Sequence, residues 1–101
     1  MKLKRMPKRY LDGAPDFVLD IFHDRNFVDG ISIFCAVKNP HDGSTILMVL
    51  GTNETGSFSG WSDFKVDNLR QYRERARQHR ISWSELPEWI RNAVAADMTA
   101  V

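Results

Sequence analysis

The chain has 101 residues, 43% of them hydrophobic and 27% charged, a composition typical of one globular domain and not of a disordered chain. No apolar stretch approaches the roughly 20 residues needed to span a bilayer, and the basic start lacks the apolar segment of a secretory signal. The single cysteine, Cys35, excludes an internal disulfide and suits a reducing compartment. We therefore expect a cytoplasmic domain that does not contact membranes.

The net charge of +1 conceals a strong separation of charge along the chain. Residues 1–10 carry five positive charges and no negative one, and residues 65–80 carry a balance of +4. Between them, residues 11–64 carry −6, and the rest of the chain carries −2. Two cationic segments around an acidic one indicate a binding role for the cations.

The basic start of the chain predicts a flexible arm over residues 1–11. Residues 12–101 are then expected to form a single small globular domain, because a chain of this size has enough surface to bury for one modest core.

The first predicted element covers residues 14–26, which read APDFVLDIFHDRN. Phe17, Val18, Ile21 and Phe22 recur with helical spacing, and Pro15 suits the first position of a helix. A strand over residues 15–26 is the alternative. We predict an N-terminal helix, since Asp20 interrupts strict alternation and β-branched residues are few.

The next predicted unit is an antiparallel hairpin over residues 31–50. Two apolar, β-prone runs, ISIFCAVK and TILMVLG, are separated by the turn formers NPHDGS. A third strand is indicated around Asp63–Val66, after the glycine-containing stretch 51–60.

Two helices are predicted to complete the chain. The first covers Leu69–Arg80. The second begins after Ser84, or after Ser82, whose spacing from Glu85 is that of a capping box. The sequence thus predicts an α+β fold: an N-terminal helix, an antiparallel sheet of two or three strands, and two C-terminal helices packed on one face of the sheet.

The first of these helices presents two distinct faces. Leu69, Tyr72, Ala76 and His79 fall on one narrow side that would pack on the sheet, and four arginines gather on its flank. One interpretation is a solvated helix face whose charges are offset by the acidic half of the chain. The other is a surface that contacts a polyanion, joined by the basic arm. The candidate residues are Lys65, Arg70, Arg73, Arg77, Arg80, Lys4, Arg5, Lys8 and Arg9.

We expect a small non-enzymatic binding or regulatory module whose arginine stripe and basic arm contact the backbone of a nucleic acid without sequence specificity. An acidic protein surface is a second possible partner, and an exposed sheet edge would allow a homodimer. The alternative is an interaction module, such as an inhibitor or adaptor, that engages a partner through the 51–61 loop with Phe58, Trp61 and Trp83. A weaker alternative is an enzyme or small-ligand binder with a pocket between the sheet and the C-terminal helices.

The sequence predicts no metal and no cofactor. Asp16, Asp20 and Asp24 share one face of the predicted helix with His23 beside them, but a single helical face rarely supplies a hard-cation site. We interpret this acidic face as solvated or as an internal partner of the basic helix. The three histidines are scattered and form no recognisable triad.

Overall fold

The computed structural model describes residues 4–27, 30–57 and 59–99. Four strands precede two helices, with single turns of 3-10 helix at Lys8–Tyr10, Arg77–His79 and Trp83–Glu85. Each strand pairs antiparallel with the next, in the order β1-β2-β3-β4. The elements are β1 Val18–His23, β2 Ile31–Lys38, β3 Thr45–Thr52, β4 Ser59–Asp63, α1 Val66–Arg75 and α2 Glu88–Thr99.

The predicted N-terminal helix is wrong, because Val18–His23 form the first strand of the sheet. The register shifts between Val18 and Asp20, where β1 carries an extra residue against β2. This bulge resets the alternation of side chains. Val18 and Ile21 therefore enter one core cluster while Leu19 and Phe22 enter the other. The resulting spacing of three imitates the periodicity of a helix.

The predicted hairpin is confirmed, but the sheet has four strands and not two or three. β2 and β3 pair along their full length, from Ile31 opposite Thr52 to Lys38 opposite Thr45. β4 covers Ser59–Asp63, earlier in the chain than the third strand expected around residues 63–66. Its first residues were predicted as part of a loop because glycine and serine are typical of turns.

The two helices pack on opposite faces of the sheet and not on one face. In β2, Ile31, Ile33 and Cys35 join a core cluster with Ile90 and Val94 of α2. Phe34, on the other face, joins Leu69 of α1 in a second cluster. Because successive strand residues point to opposite faces, the sheet is the middle of three layers. This is why β1 and β2 are apolar almost throughout.

α1 begins three residues before its predicted start and ends at Arg75. The Asn68 carboxamide oxygen accepts the Lys65 backbone N–H at 2.8 Å, which satisfies a donor at the helix start. Ser82 and Glu85 do form the expected reciprocal contacts, but around the 3-10 turn Trp83–Glu85. α2 starts after Pro87.

Candidate polyanion-binding surface

The carboxylate of Asp20 lies inside the molecule, fully shielded from solvent. Arg73 donates from Nε to its Oδ2 at 2.7 Å. Arg80 donates from Nε to Oδ1 at 2.9 Å and from Nη2 to Oδ2 at 2.7 Å. The backbone N–H of Ile21 also donates to Oδ1, at 3.0 Å. Two guanidinium groups thus share one carboxylate, and the cluster keeps an excess positive charge.

Arg73 and Arg80, two residues of the predicted stripe, are therefore engaged in ion pairs with a buried carboxylate. Arg80 forms an antiparallel backbone bridge with Phe22, and Ile81 donates its N–H to the carbonyl of Ile21 at 3.1 Å. The chain after α1 thereby covers part of the outer edge of β1, which is one way to protect an edge strand.

The described part of the N-terminal basic segment lies along the same edge. Met6 is only 3% exposed and donates its N–H to the carbonyl of Leu19 at 2.7 Å. Arg5 donates from Nε to the carbonyl of Val18 at 2.9 Å. Arg73 adds a hydrogen bond from Nη2 to the carbonyl of Lys4. The two cationic segments, far apart in sequence, meet at β1.

Tyr10 provides a second link between the segments. The guanidinium carbon of Arg9 lies 4.9 Å from the centroid of the Tyr10 ring, and that of Arg80 lies 5.9 Å from it. Both distances fall within the range of cation–π attraction. Tyr10 was absent from the sequence prediction, although an aromatic residue beside basic ones was a signal for it.

Four cations around this junction are exposed, and in the described ranges their side chains form neither an ion pair with a carboxylate nor a hydrogen bond to a backbone carbonyl, unlike Arg5. Lys8 and Arg9 also line a cleft of about 650 Å³ together with Arg5, and Asp12 and Asp16 line the same cleft. We call these four residues the basic surface: Lys4, Lys8, Arg9 and Arg77.

The other predicted cations lie elsewhere. Lys65 is at the start of α1, and Arg70 pairs with Asp67 at 3.3 Å in the first turns of that helix. The basic surface adjoins the opposite end of α1. The structure therefore brings together only part of the predicted stripe and adds the N-terminal segment to it.

The residues predicted for the alternative partner site have structural contacts or lie outside the described ranges. Phe58 is outside them. Trp61 donates its indole N–H to Asp97 at 3.0 Å, and Trp83 is 6% exposed within the core. The adjacent loop is tied to α2, because Trp89 donates its indole N–H to the carbonyl of Glu54 at 3.1 Å.

Two reactive side chains of the sheet, Cys35 and His23, have a pKa shifted by burial. Burial raises the pKa of the Cys35 thiol to about 12, which keeps it protonated and inert. Burial, with a smaller effect of Arg25, lowers the pKa of His23 from 6.5, against the opposing influence of Glu54 and Asp24. Within the described ranges, no three His, Cys, Asp or Glu side chains gather as metal ligands.

A groove lies between α1 and the β2–β4 part of the sheet, with a volume of about 450 Å³. We call it the α1 groove. It is on the side of α1 away from β1, so it is distinct from the basic surface. Its lining includes Gly51, Gly60, Ser62, Asp63, Gln71 and Arg75.

Comparison of the chain with protein-family models, curated proteins and solved structures found no match. In the described part of the chain, no helix has both the length and the apolar character needed to cross a membrane.

Proposed function

We propose that this protein binds a polyanion through the basic surface, and that this polyanion is the phosphate backbone of a nucleic acid. The observation that supports the proposal is the double contact of Arg73. Its guanidinium group holds both the buried Asp20 carboxylate and the Lys4 carbonyl. That contact joins the two cationic segments of the sequence into one positive area.

The charges of this area favour phosphate over a weakly charged partner. Asp20, the carboxylate at the centre of the junction, is buried and is outnumbered by Arg73 and Arg80. The exposed lysine and arginine side chains remain available to replace counterions along a phosphate backbone. Phosphate contacts set affinity and orientation but do not distinguish bases, so binding is expected to be largely independent of sequence.

Charge reversal tests the proposal. The variant Lys4→Glu/Arg77→Glu changes one residue from each cationic segment without altering the Asp20 cluster. Labelled DNA and RNA, single- and double-stranded, are titrated at two salt concentrations. We expect the variant to bind at least about tenfold more weakly than the wild type at low salt, because two phosphate contacts become repulsive.

Lys38→Glu/Arg25→Glu is the matched control, since both residues are exposed cations at the ends of the sheet. The control is expected to retain most of the affinity. A wild-type protein that binds none of the four nucleic acids even at low salt, or equal losses in the two variants, would refute the proposal.

A further inference from the structure

We propose that the α1 groove is a nucleotide-binding site, occupied by a mononucleotide or by one unstacked nucleotide of a single strand. Binding of a nucleotide within a strand rests on the proposed function, whereas binding of a free mononucleotide does not. The inference follows from the floor, the walls and the unpartnered polar groups of the groove.

The floor of the groove is bare backbone. Ser32, Gly51 and Gly60 lie opposite one another in β2, β3 and β4, so that this row carries almost no side chain across these three strands. A Cβ at Gly60 would have no atom within 4 Å. Glycine inside a strand weakens it, and close approach of a ligand or another chain to the backbone is one of the reasons for a glycine there. A planar ring can lie flat on this row.

Apolar side chains form one end of the groove. The next row of the sheet carries Phe34, Val49 and Ser62 on the same face. The rings of Phe34 and Phe64 pack edge to face with centroids 5.1 Å apart. On the α1 side, the Tyr72 hydroxyl lies 3.3 Å from Ser32 Oγ and fixes the wall against the floor. These groups would shield the faces and edges of a base from water.

The polar side chains at the rim of the groove are exposed and lack internal partners. Within the described ranges, Ser62 and Gln71 form no side-chain hydrogen bond or ion pair, and the Arg75 guanidinium carbon lies 5.9 Å from the centroid of the Tyr72 ring. By contrast, Arg5, Arg73 and Arg80 are all bonded internally.

The types of these groups match the parts of a nucleotide. The Arg75 guanidinium suits a phosphate. The Gln71 carboxamide and the Ser62 hydroxyl each both donate and accept hydrogen bonds, as the edge of a base requires. The groove volume of about 450 Å³ lies within the range of roughly 300–1,000 Å³ that is typical of small-molecule sites.

Filling the floor gives a direct test. In Gly60→Val the new side chain enters open space in the groove, so the sheet is expected to form normally. The matched control is Thr45→Val, which places the same side chain at an exposed position on the adjacent strand, outside the groove. Binding of the four 5′-mononucleotides, of the corresponding nucleosides and of inorganic phosphate is measured by calorimetry and by amide chemical-shift changes.

We expect at least one mononucleotide to shift amides of β3, β4 and α1, and to lose binding in Gly60→Val but not in Thr45→Val. Arg75→Gln should weaken the mononucleotide about tenfold, as for loss of a charge-assisted hydrogen bond, and leave the nucleoside almost unchanged. Absence of binding by all mononucleotides at millimolar concentration, or shifts by inorganic phosphate alone, would overturn the inference.

The two proposals fail separately. Mononucleotide binding that persists in Lys4→Glu/Arg77→Glu supports the groove whether or not strands bind. Strand binding that is unaffected by Gly60→Val, with no binding of mononucleotides, would reject the groove and leave the basic surface intact. A change from dimer to monomer in Gly60→Val, measured by light scattering, would show that the groove is a contact between copies and would also overturn the inference.

Discussion

Asp20 shows most clearly what a single residue contributes to this molecule. The sequence placed it on an exposed acidic face, with an internal partner for the basic helix as one interpretation. It is instead buried, and its two guanidinium partners lie 53 and 60 residues away in the chain. The pairing of acid and base could be considered from composition. Its location could not, because the bulge that turns Asp20 inward depends on the pairing of β1 with β2.

Asp20→Asn is expected to lower the free energy of unfolding by roughly 3–5 kcal/mol, because it leaves two largely buried guanidinium groups without a counter-charge. Urea denaturation followed by tryptophan fluorescence measures the change. Loss of the cluster should also release the Lys4 carbonyl from Arg73, which increased amide exchange of residues 4–6 would report.

Glu74→Gln removes an exposed carboxylate of α1 and serves as the control. Its effect is expected to stay within about 0.5 kcal/mol. If Asp20→Asn were no more destabilising than Glu74→Gln, the buried cluster would not be important for the fold.

Among the elements, the hairpin was predictable and the first strand was not. β2 and β3 are long, rich in β-branched residues and joined by a turn that contains Asp42-Gly43, so local signals were sufficient. β1 is covered on both faces and contains a bulge, and its apolar residues therefore recur at intervals of three. Helix and strand cannot be told apart by periodicity in such a segment.

The β3–β4 loop allows a controlled test of how an element is held in place. Gly56 has φ +73°, and a Cβ there would lie 3.2 Å from the ring of Trp89. Gly56→Ala should therefore lower the free energy of unfolding for two reasons. The left-handed conformation costs about 1–2 kcal/mol, and the new Cβ displaces Trp89. We expect a larger loss of unfolding free energy than the conformational cost alone.

Gly43→Ala isolates that conformational cost, since Gly43 also has φ +73° and a Cβ there would meet no atom within 4 Å. The same urea titration compares the two variants. Equal losses would mean that packing of Trp89 on the loop contributes nothing to stability.

For the whole molecule, the separation of charge along the sequence was visible, but the meeting of its two cationic segments was not. Their contact depends on Met6 and Ile81, which both bond to the outer edge of β1. The sequence predicted a helix for this segment, and a helix has no open row of backbone groups to which Met6 and Ile81 could bond. The same error hid the three-layer arrangement, since helices on both faces require a sheet that is apolar on both.

The salt dependence of nucleic-acid binding tests the central claim most directly, namely that both cationic segments contact one polyanion. The logarithm of the binding constant is plotted against the logarithm of salt concentration for the wild type, Lys4→Gln, Arg77→Gln, the double variant Lys4→Gln/Arg77→Gln and the control Lys38→Gln. Each of the first two substitutions should reduce the slope by about 0.7–0.9, the value for one phosphate contact, and the double variant by about twice that. A slope that neither Lys4→Gln nor Arg77→Gln changes relative to Lys38→Gln would contradict the account.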